Sequence, residues 1–364
     1  MGAPCAVVAV ESQAFPKRCR IRRGPRIIRG RYWYRYCRNR TPVLFFFESY
    51  YIGDVLHATN RENKWYCFVS VMKNGTHVPI ANCVWTVARA GTVSWTMCTY
   101  PKAVDRWISA AIQTTGCFAL ECDDVLWMLG VMRRWPHSEL LDLGGNIGFY
   151  SLAAAADGHS VVVFEPSPDN VVHLLASARA NSFRNVRVFP LCVSDTTGPC
   201  ELGGHRDNQG ALQHSIRSSA GSFRSRPTGW RRALVTTMAV RVDDVLPPRV
   251  MPTFLKMDIE GGECEAFRGM RHTLNESAPS TFIGALIEFD KSRACCHELV
   301  DGAAGGAFWL FKTRHGLCPY LAYANQAAHK HATRLDQLCQ IGGSAKQLNL
   351  RWERCQGYAK EDQW

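Results

Sequence analysis

Residues 141–150, LDLGGNIGFY, join a carboxylate to a glycine turn. An apolar run ends around Asp142, and Gly144, Gly145 and Gly148 make a tight bend before a helix expected at Phe149. Glycines let the backbone approach a ligand closely, and a helix start offers free N–H groups to an anion. The pyrophosphate fingerprint G-x-G-x-x-G requires glycine two positions after Gly144, where this chain has Asn146. The pattern is D-x-G-x-N-x-G, which suits a ligand with a carboxylate and an amine and no pyrophosphate.

Three further segments place acids after apolar runs. Glu165 ends the next expected strand, about twenty residues after the turn, where an acid can accept hydrogen bonds from ribose hydroxyls. Turn and acid together point to an adenosine-type ligand. Residues 254–270, FLKMDIEGGECEAFRGM, place Asp258, Glu260 and Glu263 beside two glycines past a buried strand. Some of these acids would favour the N-terminus of the following helix. Residues 282–290, FIGALIEFD, bring Glu288 and Asp290 to the same edge. Asp258 and Glu288 are candidates for binding a substrate hydroxyl, for general-base work or for holding a divalent cation, and the sequence does not choose among these.

Such residues converge only if the strands that carry them lie side by side. From about residue 116, strands expected at 139–143, 161–164 and 186–189 alternate with helices at 124–134, 149–156 and 170–180. That alternation specifies an α/β fold with a parallel sheet covered by helices. A Ser-, Gly- and Arg-rich stretch at 203–233 is expected to be a long basic loop; its Arg217, Arg224, Arg226, Arg231 and Arg232 hint at an anionic acceptor. Strands resume at 234–242, 254–257 and 282–289, with a helical turn at 242–246 and helix at 320–332. Residues 42–115 form a β-rich extension with strands at 65–72, 83–88 and 92–99 and a hairpin-type turn at Asn74-Gly75.

LDLGGNIGFYSL, VVVFEPSPDN, FLKMDIEGGECEAFRGM and LIEFD, in this order and spacing, resemble the FkbM-type S-adenosylmethionine-dependent methyltransferases. The resemblance covers about residues 116–325, leaving 1–41 as a basic arm, 42–115 as the extension and 326–364 as a C-terminal tail. It implies a class I methyltransferase fold, a Rossmann-like, seven-stranded, mostly parallel sheet with an antiparallel hairpin at one edge. Asp142, Gly144, Asn146 and Gly148 would line the methionine end of the cofactor, and Glu165 would hold the ribose. Val193, Ser194 and Asp195 would border the adenine, and Asp258 would stand beside the transferred methyl. Gly145 stands where the family more often has Ala, a difference expected to matter little.

The family mostly methylates oxygen on small molecules and sugars, so the expected activity is O-methyl transfer with Asp258, Glu260 or Glu288 as base and no metal assigned. A nucleic-acid, especially RNA, methyltransferase is the first rival, because RGRYWYRYCRNR interleaves Arg with aromatic residues. Against it, no D/N-P-P-Y/F motif is present. A non-catalytic binding protein is the second rival, opposed by the acids kept at the sheet edge. An NAD-dependent dehydrogenase is the third, opposed by the failed fingerprint.

The chain of 364 residues carries a net charge of +12, but eleven basic residues and no acid lie between Lys17 and Arg40, so the excess describes an arm. No apolar run reaches the roughly 18 residues of a membrane span. Sixteen cysteines show no C-x-x-C pair and no regular spacing, which reads as reduced, scattered thiols. Cys295, Cys296, His297, His315 and Cys318 fit no standard zinc spacing. The start does not resemble a secretory signal; the sequence leaves the location open between the cytoplasm, which it favours, and an organelle reached through the basic leader.

Overall fold

The computed structural model describes residues 83–118, 121–204, 212–216, 235–290, 295–302, 305–321, 339 and 347–355, with short strand segments between residues 5 and 70. The arginines singled out at 217–232 and the turn at Asn74-Gly75 lie outside the described residues.

Seven strands form the central sheet: β1 (Glu139–Leu143), β2 (Ser160–Phe164), β3 (Val186–Phe189), β4 (Thr253–Met257), β5 (Phe282–Asp290), β6 (Leu317–Leu321) and β7 (Gln347–Arg354). Their order is β3-β2-β1-β4-β5-β7-β6, with the short strand Val69–Ser70 added antiparallel at the β3 edge. The first five run parallel, and β7 runs antiparallel between β5 and β6. This is the mostly parallel class I methyltransferase sheet expected from the resemblance. The β6–β7 pair corrects the reading of 320–332 as helix at its start, because Tyr320 and Leu321 pair with Arg351 and Leu350.

Both faces of the sheet are covered, so the strands read as apolar runs without alternation. Successive side chains still point to opposite sides. Leu140, Val161, Val163 and Phe254 pack with helices α1 (Ile108–Thr115), α2 (Cys122–Met132), α3 (Phe149–Ala156) and α4 (Pro168–Ala180). Leu141, Val162, Phe164 and Leu255 pack on the other face, beyond the short α5 (Val242–Val245), with α6 (Glu263–Gly269), α7 (Arg271–Glu276), α8 (Cys296–Val300) and α9 (Ala307–Thr313). α4 starts as its sequence dictates: Ser167 is the N-cap, Pro168 follows, and Asp169 sits in the first turn.

A hairpin of Val84–Ala90 and Val93–Thr99 closes over Gly91-Thr92 and docks on the first face. α4 side chains satisfy its edge: Thr96 and Asn181 exchange two hydrogen bonds, and Cys98 N–H donates to Ser177 Oγ at 2.9 Å. The basic stretch at 203–233, expected as loop throughout, contains strand instead. Gly198–Gly204 pairs with Leu212–Ile216 and with Val235–Val240 in a second sheet. Among the described residues no helix is long and apolar enough to cross a membrane.

The cysteine reading needs correction. Among the described residues six bridges join Cys83–Cys98, Cys117–Cys122, Cys192–Cys200, Cys264–Cys295, Cys296–Cys339 and Cys318–Cys355. Their Cα–Cα distances run from 5.1 to 6.6 Å, inside the normal range. Irregular spacing hid them because most bridges join separate elements, so the fold and not the chain interval sets which thiols meet. Adjacent Cys295 and Cys296 go to different partners, one on α6 and one at residue 339. With Cys318 also bridged, these thiols are not available to zinc, and the described residues contain no cluster suited to a metal.

Candidate active site

β1 and β2 end together, Leu143 opposite Phe164. The backbone then turns through Gly144 (φ 90°), Asn146 (φ 50°) and Gly148 (φ 95°) into α3. The amides of Gly144 and Gly145 both donate to Phe164 O, at 2.9 and 3.1 Å, which hooks the turn onto β2. A Cβ at Gly144 would meet Asp258 O at 1.9 Å, so glycine there is what lets the end of β4 close against the turn. A Cβ at Gly145 would meet Val163 Cγ1 at 2.1 Å. The expectation that alanine at 145 would matter little is therefore wrong for this chain, because the stiff, β-branched Val163 fills the space an alanine methyl needs.

Glu165 is buried beneath this turn. Its Oε2 accepts from Asn146 N–H at 2.7 Å, and its Oε1 accepts from Ser167 N–H at 2.8 Å and Asn170 Nδ2 at 3.2 Å. Burial pushes its carboxyl up to about 7, against the three donors that favour its charged form. Asp142 lies deeper and is fully buried; it accepts from Ser151 Oγ at 2.5 Å and stands 3.6 Å from Lys256 Nζ.

Lys256 is the residue that sequence reasoning passed over. It is 5 % exposed next to the last residue of β4, donates to Gly144 O at 2.7 Å, and lies 3.8 Å from Asp258 Oδ2. Burial alone would lower its ammonium, but Asp142, Asp258, Glu121 and Glu288 surround it and hold it well above the ordinary value. The available signal was a lysine inside the otherwise apolar run FLKM. Glu121, at the start of α2, was also missed.

Between the turn and the end of β4 opens a cleft. Gly144, Asn146, Glu165, Asp258 and Glu260 line it, with Lys256, Glu121 and Tyr150; Ile147, Phe164, Leu191 and Val193 give it an apolar wall. The structure thus brings six of the expected residues into one cavity: Gly144, Asn146, Glu165, Val193, Asp258 and Glu260. Glu260 holds a left-handed backbone (φ 56°), a conformation that non-glycine residues adopt at a cost and that is found often at functional sites.

The others stand behind the wall. Asp142 and Gly148 support the turn from beneath, where a Cβ on Gly148 would meet Leu174 Cγ at 2.9 Å. Ser194 is buried against Gly269, and Asp195 faces Arg268 at 3.8 Å, while their neighbours Cys192 and Val193 reach the cleft. Glu288 is half-buried at the end of β5; burial, with Asp258 and Glu260 nearby, pushes its carboxyl up to about 9. Glu263 is a loop holder, accepting from the amides of Gly261 at 2.9 Å and Ile259 at 3.3 Å.

Residues 142–298 match the family model of the methyltransferase FkbM domain. A search of curated proteins returns no match. Among solved structures, the chain is similar to a SAM-dependent methyltransferase from Agrobacterium tumefaciens, at 11% identity over 97% of this chain and 96% of that one, with a TM-score of 0.38. It is similar to a precorrin-6y C5,15-methyltransferase from Geobacter metallireducens GS-15, at 10% identity over 63% of this chain and 87% of that one, with a TM-score of 0.31. It is also similar to a 16S rRNA N2 G1207 methyltransferase from T. thermophilus, in complex with AdoMet and guanosine, at 13% identity over 83% and 58% and a TM-score of 0.33. The family match spans the glycine turn, Glu165 and the Asp258 loop, the residues that build the cleft. Residues 142–298 belong to the FkbM family of S-adenosylmethionine-dependent methyltransferases.

Proposed function

We propose that this methyltransferase acts on a hydroxyl oxygen of a small molecule or sugar. The observation that carries the reading is the set of carboxylates, Asp258 and Glu260, at the β4 edge of a cleft whose other end is the glycine turn and Glu165. S-adenosylmethionine, when bound, supplies an activated methyl on a sulfonium. The cradle suits it: Gly144 and Asn146 line the turn, Glu165 offers a carboxylate, and Leu191 and Val193 offer an apolar wall.

In this reading Gly144 and Asn146 receive the methionine end, with Asp142 and Gly148 shaping the turn from behind. Glu165 accepts from the ribose hydroxyls. Val193 faces the adenine, backed by Ser194 and Asp195. Asp258 orients the acceptor hydroxyl, with Glu260 as the further acid of the reacting end and Glu288 behind them. Holding acceptor and methyl in line supplies much of the rate, up to about 7–11 kcal/mol in favourable cases.

Incubating the protein with isotope-labelled S-adenosylmethionine and cell extracts, followed by mass spectrometry, tests this. A labelled O-methyl product is expected. Label found only on nitrogen or carbon, or on nucleic acid, would replace the reading.

We also propose that the chain works in an oxidising compartment. The six bridges support this, because such bridges persist where thiols are not kept reduced. Maleimide labelling of the protein taken from its own cells, with and without prior reduction, reads it. Labelling of the bridge cysteines only after reduction is expected; full labelling without reduction sinks the proposal.

A further inference from the structure

We propose that Glu121 is a catalytic residue of this site, whose carboxylate takes the proton of the acceptor hydroxyl as the methyl is transferred. The proposal rests on the O-methyl reading and adds a residue from outside the family-matched segment. Glu121 lies just before α2, and its carbonyl accepts from Val125 N–H at 2.9 Å to open that helix. It lines the same cleft as Gly144, Glu165, Asp258 and Glu260. Its carboxyl accepts a hydrogen bond from Tyr150, the second residue of α3, whose ring centroid is 5.4 Å from Lys256 Nζ. Glu121 is thereby fixed on the side of the glycine turn that faces the β4 acids.

Two anchors hold it there. Asp124, one turn along α2, binds Arg351 of β7 at 2.7 Å, and Arg351 stacks over Trp127. The bridge Cys117–Cys122 closes the chain directly beside Glu121.

The other acids are engaged differently. Asp142 is taken by Ser151 and Lys256, Glu165 by three donors, and Glu263 by two loop amides. Glu288 does not line the cleft. The groups facing Glu121 are Lys256 from β4 and Asp258 just past it, Tyr150 from α3, Glu288 from β5 and Asp124 on α2. Burial, then Asp258, pushes its carboxyl up to about 8, while Lys256 and Tyr150 pull the other way. A base poised near working pH is suited to accept a hydroxyl proton.

The step balances. The acceptor oxygen forms the new O–CH3 bond, the C–S electron pair stays with sulfur, and the hydroxyl proton passes to Glu121. The products are the methyl ether, neutral S-adenosylhomocysteine and a protonated carboxyl that later returns its proton to water.

The test compares S-adenosylmethionine and S-adenosylhomocysteine binding by calorimetry, which needs no acceptor. An ionised Glu121 near the methyl favours the cationic sulfonium over the neutral thioether. The preference for S-adenosylmethionine should rise roughly tenfold as pH passes through about 8. In Glu121→Gln that rise should vanish with S-adenosylhomocysteine affinity kept. In Tyr150→Phe, which removes a donor that lowers the carboxyl's pKa, the rise should move to higher pH.

A rise unchanged in Glu121→Gln would overturn the proposal, as would equal loss of both ligands at every pH in a folded variant. If the titration behaves as expected but labelled product carries no O-methyl group, the O-methyl reading fails while Glu121 keeps its place beside the methyl.

Discussion

Asn146 donates its backbone N–H to Glu165 Oε2 at 2.7 Å, so the acid at the end of β2 holds the turn at the end of β1. One carboxylate thus shapes the turn and lines the cleft. Glu165→Ala should weaken S-adenosylhomocysteine binding by about 1–3 kcal/mol, because charged hydrogen bonds are lost and the Asn146 amide loses its partner. Isothermal calorimetry reads the change, and wild-type affinity in the variant would remove Glu165 from the cofactor site.

Gly145 and Val163 are a packed pair, and their contact gives a sharper test. Gly145→Ala forces a methyl to within 2.1 Å of Val163 Cγ1 and should destabilise the domain by about 1–3 kcal/mol. Adding Val163→Ala opens that space and should recover most of the loss, a non-additive result in a double-mutant cycle. Denaturant melts of the four proteins read it. Simple additivity of the two changes would show that the contact with Val163 is not what requires glycine at 145.

The contrast between these two sites shows what was legible beforehand. Gly144, Asn146, Glu165, Asp258 and Glu260 share a cleft because each follows a strand, and parallel strands ending at one edge gather such residues. The five parallel strands were readable as apolar runs of the right length. The β6–β7 pair was not, because Leu317–Leu321 and the distant Gln347–Arg354 carry no local turn that joins them. Ser194 falls behind the cleft while Val193, one residue earlier, reaches it, a difference that spacing does not decide. Val163 gives Gly145 its importance from another strand, and contacts of that kind have no one-dimensional signature.

Lys256 was unread for a different cause, since a lysine inside a buried strand makes sense only once its carboxylates are known. Lys256→Met should destabilise the protein by about 3–5 kcal/mol, because it strands Asp142 as an uncompensated buried charge and frees Gly144 O. The double variant Lys256→Met, Asp142→Asn should recover part of that loss by removing the stranded charge. Thermal melts check the order: if the double variant is less stable than the single, Lys256 does not act through Asp142.

Glu165, Glu263, Glu121 and Glu288 titrate high in the folded state, near 7, 7, 8 and 9, chiefly through burial. Each folded value lies above the unfolded one, so the native protein keeps protons that the unfolded chain has released. Stability from these groups is fullest below the unfolded value and is lost as pH rises through the folded values. Burial lowers His315 to about 4, and His159 is also lowered, which works the other way only in the acid range below about 6.5. Above about pH 6.5 the carboxyls act alone among these groups, so the Tm of the protein without cofactor should fall between about pH 6.5 and 9. Glu288→Gln removes the highest of the four and should flatten the upper half of that decline. Scanning calorimetry of both proteins across the window decides it: a wild-type Tm that holds steady or climbs, or a variant that declines as steeply as the wild type, would mean that Glu288 is already ionised beside Asp258 in the folded state.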